Sequence, residues 1–533
     1  MASFNKEYFE NGPYFKNCKP NLILVEDMME NTQNNNSDII KIKISEKNKN
    51  PKLNIFDNRQ YIVDAYDNDI LVTIGIVAYN RLDITKLCIE SVLRYTSDIN
   101  YRLILVYNEN EHGTGILDYF QSVDYKNKII IHITGNLGAP LAYQHIQRYI
   151  EGKYYIHLPN DVIVTENWLK NLITCAESDI RIGMVNPVSS NVSNLQQVNL
   201  QFNNYEEMQY AASEYNVSDP SKWQERVRLI TLGTLFKREC LSAIGDIFDI
   251  GFLHDFGDDD VSFRVRRAGY KIILAHDTWV HHAHENTCRK SEDLEQGRRC
   301  FAEKYSGIDA WDDTCNFIFN KISSNVTMPS DFENPKVLGV DVKCGTPVLD
   351  IKNILREYGI FNSEISSFTN DCKYIMDLKT ICTGDVVCDR IEFLYNSFKS
   401  FYFDYIVIGK CINEYHFPEK VVRDAYALLK RDGQMFLSLK NTYNVLTLLK
   451  MLGHDVCFSE HAVHYDVDDF YNLISNMGID IQLVNVENLN ANDIIIDFSS
   501  KIIDFAKPDE ADKGEVLNRI IADKYWFKIT KKN

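Results

Sequence analysis

From residue 70 onward, short apolar runs alternate with segments in which apolar residues recur every three or four positions. Four runs are typical of buried strands: ILVTIGIVAYN (70–80), YRLILVYN (101–108), IIIHIT (129–134) and KYYIHLPND (153–161). Two segments between them, ITKLCIESVLRYT (84–96) and APLAYQHIQRYIEG (139–152), are typical of amphipathic helices. Strands that alternate with helices predict a parallel sheet covered on both faces, and such sheets bind ligands beyond the carboxyl ends of their strands.

A second alternating pattern begins near residue 336. The strand-like runs are KVLGVDV (336–342), FDYIVIGKC (403–411) and GQMFLSLKN (433–441), with helical patterns at 349–359 and 419–433. Residues 1–68 are polar and irregular, and the stretch between the two patterns is helical and polar. We therefore expect an irregular leader (1–68), an α/β domain (69–310), a helical linker (311–335) and a second α/β domain (336–533).

Composition narrows the class of protein. The formal charge of −18 over 533 residues argues against binding of nucleic acid, which needs a basic face. No apolar run of about 18 residues and no apolar core of a signal peptide are found, so we expect neither a membrane span nor classical export. The thirteen cysteines lack metal-site spacing, which predicts reduced thiols and a cytoplasmic location.

One carboxylate ends a predicted buried strand: Asp161 in LPNDV (158–162). A charge there is costly unless a cation or a hydrogen-bond donor binds it, and a hard ion such as Mg²⁺ or Mn²⁺ takes oxygen ligands. The alternative is an aspartate that caps the following helix.

Three adjacent carboxylates, Asp258, Asp259 and Asp260, precede an amphipathic run that ends at Gly269. A helix N-terminus favours acidic residues because they accept its unpaired N–H groups and oppose its dipole. That explains one or two of them, and three neighbouring carboxylates repel one another. The cluster is either a helix cap or a site that needs a carboxylate.

Seven segments, taken in order, resemble the inverting family 2 glycosyltransferases of the GT-A fold. They are VTIGIVAYNR (72–81), LVYNENEHGT (105–114), GNLGAPLAYQ (135–144), LPNDVIVTENWL (158–169), LGTLFKRECLSAIGDIFD (232–249), FGDDDVSFRVRRAGY (256–270) and AHDTWVHH (275–282). The resemblance implies that the first domain is a nucleotide-sugar transferase of that fold.

The resemblance also implies roles for individual residues. Asp161 and His282 match the metal ligands, and Asn160 stands where the family has a further carboxylate. Asp258 falls at the position of the catalytic base, with Asp259 and Asp260 as register alternatives. The candidates for binding the nucleotide sugar are Tyr79, Asn80, Arg81, Asn108, Glu109, Asn136, Gly138 and Asn160. Where the family has an aspartate that contacts the nucleobase of the donor, this chain has Tyr107 or Asn108, with Glu109 next.

The reaction implied by this resemblance is a single inverting displacement that needs Mn²⁺ or Mg²⁺. The expected donor is UDP-N-acetylglucosamine, ahead of other UDP-sugars and of dTDP- and GDP-sugars. The expected acceptor is a hydroxyl of a protein, such as flagellin, or of a saccharide, and a homodimer is possible.

The second domain resembles the Rossmann-like methyltransferases that bind S-adenosylmethionine, through VLGVDVKCGTP (337–347), Gly384-Asp385 and the segment 403–441. Its loop has Lys343, Cys344 and Pro347 around the single Gly345, whereas a working loop needs several glycines so that the backbone can approach the cofactor. We therefore expect this domain to have the methyltransferase fold but not to bind S-adenosylmethionine. Two alternatives stay open: a bifunctional glycosyltransferase–methyltransferase, and a non-catalytic scaffold that binds a glycan or a nucleotide.

Overall fold

The computed structural model describes residues 39–43, 70–110, 113–249, 251–252, 255–283, 291–329, 332–452, 464–489, 493–506 and 513–532. The chain divides into two compact units, Met1–Asp313 and Thr314–Asn533. Each unit is built on an α/β sheet, which confirms the fold class predicted from the sequence. Residues 314–335, expected as most of a linker, belong to the second unit.

The first unit contains a ten-stranded sheet and eight described helices. Its strands are β1 (Ile39–Lys43), β2 (Val72–Ala78), β3 (Tyr101–Asn108), β4 (Lys128–Thr134), β5 (Tyr154–Pro159), β6 (Val162–Ile163), β7 (Ile182–Ser189), β8 (Trp223–Arg226), β9 (Thr234–Lys237) and β10 (Lys271–His282). Its helices are α1 (Leu82–Tyr95), α2 (Ile116–Ser122), α3 (Ala139–Gln147), α4 (Trp168–Glu177), α5 (Tyr205–Tyr215), α6 (Arg238–Ile244), α7 (Gly257–Arg267) and α8 (Ser291–Lys304).

The strand order of this sheet is β1-β4-β3-β2-β5-β9-β7-β10-β6, and β8 pairs with β10. The pairs from β1 to β5 are parallel, as the alternating pattern predicts, and every residue of β2 is buried. Strand β9 breaks the parallel arrangement because it runs antiparallel between β5 and β7. Strand β1 lies inside the expected leader; the rest of the leader lies outside the described residues.

The second unit contains a seven-stranded sheet. Its strands are β11 (Lys336–Val340), β12 (Glu364–Thr369), β13 (Val386–Cys388), β14 (Phe403–Ile408), β15 (Leu429–Lys440), β16 (Asp480–Asn488) and β17 (Ala522–Thr530). Its described helices are α9 (Phe319–Ile322), α10 (Thr346–Glu357), α11 (Ile375–Ile381), α12 (Leu394–Ser397), α13 (Pro418–Leu428), α14 (Val445–Leu452), α15 (Val467–Asn476), α16 (Asp493–Ala506) and α17 (Lys513–Ile521).

The strand order of this second sheet is β13-β12-β11-β14-β15-β17-β16. The five strands from β13 to β15 are parallel, and β17 is antiparallel to both of its neighbours. This is the doubly wound, Rossmann-like arrangement that the resemblance to methyltransferases implies.

One predicted boundary in the second unit is wrong. The helical pattern at 419–433 ends five residues early, because α13 stops at Leu428 and β15 begins at Leu429. Asp432 has a positive φ of 62°, and its N–H donates to the carbonyl oxygen of Lys531 at 2.9 Å. A left-handed residue cannot continue a helix, and here it accompanies a shift in the β14–β15 register.

The cysteines depart from the expectation at one position. Nine described cysteines are free thiols, but Cys300 is disulfide-bonded, so the prediction of reduced thiols throughout is wrong there. The cytoplasmic location stays a prediction. None of the helices in the described part of the chain combines the length and the apolar content that a membrane span requires.

A buried histidine in the central strand makes the first unit sensitive to acid. His157 lies in β5 between the rings of Tyr143 and Phe248, at centroid distances of 4.2 and 5.0 Å. Burial lowers the pKa of His157 to about 3 from its usual 6.5. The folded chain therefore keeps this imidazole neutral at pH values where the unfolded chain protonates it.

The free energy of unfolding should accordingly fall as the pH drops below 6.5, because the unfolded state then binds a proton that the folded state does not. For His157 alone we expect a loss of about 1 kcal/mol between pH 7 and pH 5.5. Urea denaturation at the two pH values, followed by tryptophan fluorescence, measures it. In His157→Phe this part of the pH dependence should disappear, and an unchanged slope would contradict the assignment.

Candidate functional site

A carboxylate and an imidazole from distant parts of the chain meet at the carboxyl edge of the first sheet. Asp161 follows β5, and the two residues of β6 after it pair antiparallel with the end of β10, so that His282 lies opposite Val162. Nε2 of His282 lies 3.4 Å from Oδ2 of Asp161, and their side chains are 13% and 34% exposed. This pair is accessible from solvent and directed at the edge where a ligand is expected.

A backbone contact orients the ring of His282. Its Nδ1 lies 3.0 Å from the carbonyl oxygen of Asn191, which can only accept a hydrogen bond. Nδ1 therefore donates to that carbonyl, which fixes the ring so that Nε2 faces Asp161. Neighbouring His281 contacts Oγ of Ser190 at 2.9 Å, and burial lowers its pKa.

Two of the three adjacent carboxylates at the start of α7 are buried in ion pairs. Asp259 pairs with Arg228. Burial raises the pKa of Asp259 to about 6, and the guanidinium opposes that shift. Asp260 is fully buried and accepts from Nε of Arg264 at 2.7 Å and from Tyr305 at 2.6 Å.

Lys304 also pairs with Asp260. Burial alone would raise the pKa of this carboxyl, but the charges of Arg264 and Lys304 outweigh it and hold the pKa below its usual range. Asp259 and Asp260 therefore anchor α7 to the rest of the unit.

Asp258 is the half-buried member of the cluster. Its Oδ1 accepts from the hydroxyl of Thr231, and the backbone N–H of Thr231 donates to the same oxygen at 3.3 Å. Thr231 precedes β9, in which Thr234 lies opposite His157 of β5. Because β5 continues into Asp161 while β9 begins just after Thr231, Asp258 and the Asp161–His282 pair lie at the same edge of the sheet.

The loop after β2 is tied to β5 by an amide rather than by a carboxylate. Nδ2 of Asn160 donates to Oγ1 of Thr85 at 2.9 Å and to the carbonyl oxygen of Asn80 at 3.4 Å. Arg81 takes a left-handed conformation, with φ of 61°, as the residue before α1, and Tyr79 is 36% exposed. A carboxylate at position 160 could not donate either bond, so this departure from the family pattern holds the loop of Tyr79 to Arg81 in place.

The loop after β4 is shaped by two side-chain amides, those of Asn108 and Asn136. Asn108 is 2% exposed, and its Nδ2 donates to Oδ1 of Asn136 at 2.8 Å, while its own Oδ1 accepts from the N–H of Leu137 at 2.9 Å. Oδ1 of Asn136 also accepts from the N–H of Gly138, which has a positive φ of 79°. Asn108 thus lies beneath the loop and shapes it. Glu109 is 40% exposed, 3.5 Å from Nε2 of His132.

Three of the groups that hold these side chains in place carry no recognisable sequence signal. Thr231, Arg228 and the carbonyl group of Asn191 position the acidic cluster and His282, but they belong to no motif. No local pattern marks Arg228 as the partner of Asp259, and a backbone carbonyl leaves no signal at all.

Residues 73–226 match the model described as glycosyl transferase family 2. The chain therefore contains a segment that matches this family, and the match supports the predicted enzyme class, a glycosyltransferase. No curated protein matches the chain.

Solved structures of two kinds are similar to the chain. GalNAc-T7 with UDP, GalNAc and Mn²⁺ is 15% identical over 49% of this chain and 52% of its own, with a TM-score of 0.36. A mannosyltransferase from Pyrobaculum calidifontis in complex with GDP-Man and Mn²⁺ is 12% identical over 51% and 72%, with a TM-score of 0.31. A SAM dependent methyltransferase from Archaeoglobus fulgidus is 14% identical over 43% and 98%, with a TM-score of 0.27.

Proposed function

We propose that the chain is a metal-dependent, inverting glycosyltransferase that moves a sugar from a nucleotide-diphosphate sugar to an acceptor hydroxyl. The observation that carries the proposal is the Asp161–His282 pair at the carboxyl edge of the first sheet, the same edge at which Asp258 lies. The non-catalytic alternative does not explain why a metal-type pair and a supported carboxylate share this edge.

The donor set of the pair fits a divalent ion. Two ligands of one octahedral ion lie about 3 Å apart, close to the 3.4 Å between Nε2 of His282 and Oδ2 of Asp161. No group of three or more His, Cys, Asp and Glu side chains in the described residues could hold a metal. Such an ion, when bound, would neutralise charge on the departing diphosphate, and phosphate oxygens would complete its coordination. The imidazole favours Mn²⁺ over Mg²⁺.

Asp258 is the proposed catalytic base. Its carboxylate is half-buried, whereas Asp259 and Asp260 are buried against Arg228, Arg264 and Lys304 and support the helix. The acceptor hydroxyl would pass its proton to Asp258 as its oxygen attacks C1 of the sugar.

The donor that we propose is UDP-N-acetylglucosamine, and the acceptor a hydroxyl of a flagellin-like protein or of a saccharide; both come from the family resemblance. Tyr79, Asn80 and Arg81 would lie against the nucleotide, held by Asn160. A homodimer likewise stays a prediction.

The experiment that tests this function is a hydrolysis assay with a panel of nucleotide sugars, with Mn²⁺, Mg²⁺ or excess EDTA. We expect turnover of a UDP-sugar that is fastest with Mn²⁺ and stops in EDTA. Turnover of a GDP- or dTDP-sugar would correct the donor. Undiminished turnover in EDTA would remove the metal, and inactivity on every donor that nonetheless binds would favour the scaffold.

Asn108 gives a sharper test of the nucleotide site. Asn108→Ala removes the bonds that shape the loop of Asn136 and Gly138 and leaves the N–H of Leu137 without its acceptor. We expect the donor to bind about 10-fold more weakly, with a smaller change in kcat. Calorimetry with UDP and the KM for the donor measure it. Asn127→Ala, near the amino end of β4, is the matched control, and equal affinities would contradict the role.

We propose further that the second unit does not use S-adenosylmethionine, because the loop between β11 and α10 is occupied by its own residues. Asp341 accepts from the N–H of Asn370 at 2.9 Å and from the hydroxyl of Tyr415 at 2.8 Å, so both carboxylate oxygens are engaged. A Cβ on Gly345 would lie 2.1 Å from Cδ1 of Ile381, so packing against α11 accounts for this glycine. Lys343 adopts a left-handed φ of 55°, which suits glycine better.

A segment that precedes the sheet also crosses this loop. Nδ2 of Asn316 donates to the carbonyl oxygen of Val342 at 3.4 Å. The hydroxyl of Thr346 donates to the carbonyl oxygen of Thr314 at 2.5 Å. Two backbone N–H groups, of Ile318 and Phe319, bond Asp350 at 2.6 and 3.0 Å. These contacts support the proposal that the residues present do not fit the cofactor.

Calorimetry should show no saturable binding of S-adenosylmethionine to the full chain at concentrations up to the millimolar range. Lys343→Gly should not restore it, because the bonds of Asp341 and the packing of Ile381 remain. Micromolar binding to the unaltered chain, or methyl transfer to a glycan product, would support the bifunctional enzyme instead.

A further inference from the structure

A threonine outside every motif makes two contacts to the proposed catalytic base. Thr231 is 5% exposed, and its hydroxyl and its backbone N–H both donate to Oδ1 of Asp258. Hydrogen bonds to a carboxylate are stronger than those between neutral groups and have stricter geometry. One oxygen of Asp258 is thereby held by two donors of a single residue.

Thr231 is itself held in place because the residues on either side of it are hydrogen-bonded to other parts of the unit. The N–H of Ile230 donates to Oε1 of Gln196 at 2.7 Å, and the N–H of Leu232 donates to Oδ1 of Asn186 at 3.1 Å. The N–H of Leu229 donates to Oγ of Ser262 in α7 at 3.1 Å. The segment 229–232 is thus a fixed support, bonded to the same helix that carries Asp258.

The support matters because Asp258 stands next to a second carboxylate. Asp259 follows it directly, and the charge of Asp258 raises the pKa of Asp259, so the two carboxylates interact. Arg228 pairs with Asp259. A carboxylate repelled by its neighbour needs a donor to fix its rotamer, and Thr231 provides two.

We propose that Thr231 is the positioning residue of Asp258, which it holds by Oδ1 so that the carboxylate is oriented to take the proton of the acceptor. This inference rests on the proposed function. In that step the acceptor O–H bond breaks and its proton goes to the carboxylate of Asp258. The acceptor oxygen forms a bond to C1 of the sugar, and the bond from C1 to the phosphate oxygen breaks, so the nucleoside diphosphate leaves with that electron pair.

Thr231→Val removes the hydroxyl and retains the shape of the side chain. We expect kcat to fall about 10-fold to 100-fold, with the KM and Kd for the donor nearly unchanged. Thr231→Ser keeps the hydroxyl and should restore kcat to within about 3-fold of the unaltered enzyme. Thr73→Val is the matched control, because the buried hydroxyl of Thr73 donates to the carbonyl oxygen of Glu151 at the amino edge of the sheet.

The decisive measurement is a double-mutant cycle in single-turnover assays with labelled donor. If Thr231 acts through the carboxylate of Asp258, Thr231→Val should cost little more on an Asp258→Asn background. A loss there equal to the loss in the unaltered enzyme, or a matching loss of donor affinity, would overturn the positioning role alone. Near-normal turnover of Asp258→Asn by itself would overturn the proposed base, and the role of Thr231 with it.

Discussion

Replacing Asp161 with alanine is expected to abolish sugar transfer while leaving the first unit folded. Its side chain is 34% exposed and lies 3.4 Å from the imidazole of His282, and a partly exposed contact of this kind contributes about 1 kcal/mol or less to stability. The carboxylate is one of the two protein ligands that we propose for the metal, so its loss should remove most of the metal affinity. The effect on turnover should therefore far exceed the effect on stability.

Two measurements separate the loss of metal from damage to the fold. Binding of Mn²⁺ in the presence of UDP, followed by electron paramagnetic resonance, should be at least about 10-fold weaker in Asp161→Ala. The thermal unfolding temperature should stay near that of the unaltered enzyme. Asp98→Ala, an exposed carboxylate between α1 and β3, is the matched control and should bind Mn²⁺ normally. Normal Mn²⁺ binding by Asp161→Ala would contradict the assignment.

The sequence predicted this pair only through the family resemblance. The run KYYIHLPND places Asp161 at the end of a strand, but β6 has two residues and leaves no periodic pattern. The contact with His282 arises from the antiparallel β6–β10 pairing, which no local signal reveals. Strands with long, buried apolar runs, such as β2, were predicted well because their pattern depends on burial alone.

The side-chain amides of Asn108 and Asn160 show a second limit of prediction from the sequence. The sequence identified Asn108 and Asn160 as departures from a pattern that has acidic residues, but not where their side chains point. Each donates a hydrogen bond that a carboxylate cannot: Asn108 to Asn136, and Asn160 to Thr85. These contacts join separate loops at one sheet edge, and tertiary structure alone brings the loops together.

The acidic cluster could not be divided into its roles from the sequence, because the partners that bury two of its members lie far along the chain. Arg228 precedes Asp259 by 31 residues, and Lys304 follows Asp260 by 44. Their contacts leave Asp258 as the half-buried member of the cluster, the one that we propose as the base. The last prediction follows from that difference.

Asp258→Asn should leave the donor bound with nearly normal affinity and should lower turnover by about 10²–10⁴-fold, the usual contribution of a positioned general base. An asparagine of the same shape can still accept from Thr231, so the fold and the nucleotide site should be unaffected. It cannot take the proton of the acceptor. The loss should therefore appear in kcat and in single-turnover transfer, while the Kd for UDP stays the same.

Asp260→Asn is the informative contrast, because it removes a buried negative charge that forms ion pairs with both Arg264 and Lys304. Breaking such an arrangement costs about 3–5 kcal/mol, so this variant should unfold at lower denaturant concentration, and its activity should fall with its stability. If Asp258→Asn were nearly fully active while a folded Asp259→Asn or Asp260→Asn were inactive, the base would be one of the buried carboxylates. If all three variants folded and transferred sugar normally, none of the three carboxylates would be the base, because transfer cannot proceed at its normal rate without the group that takes the acceptor proton.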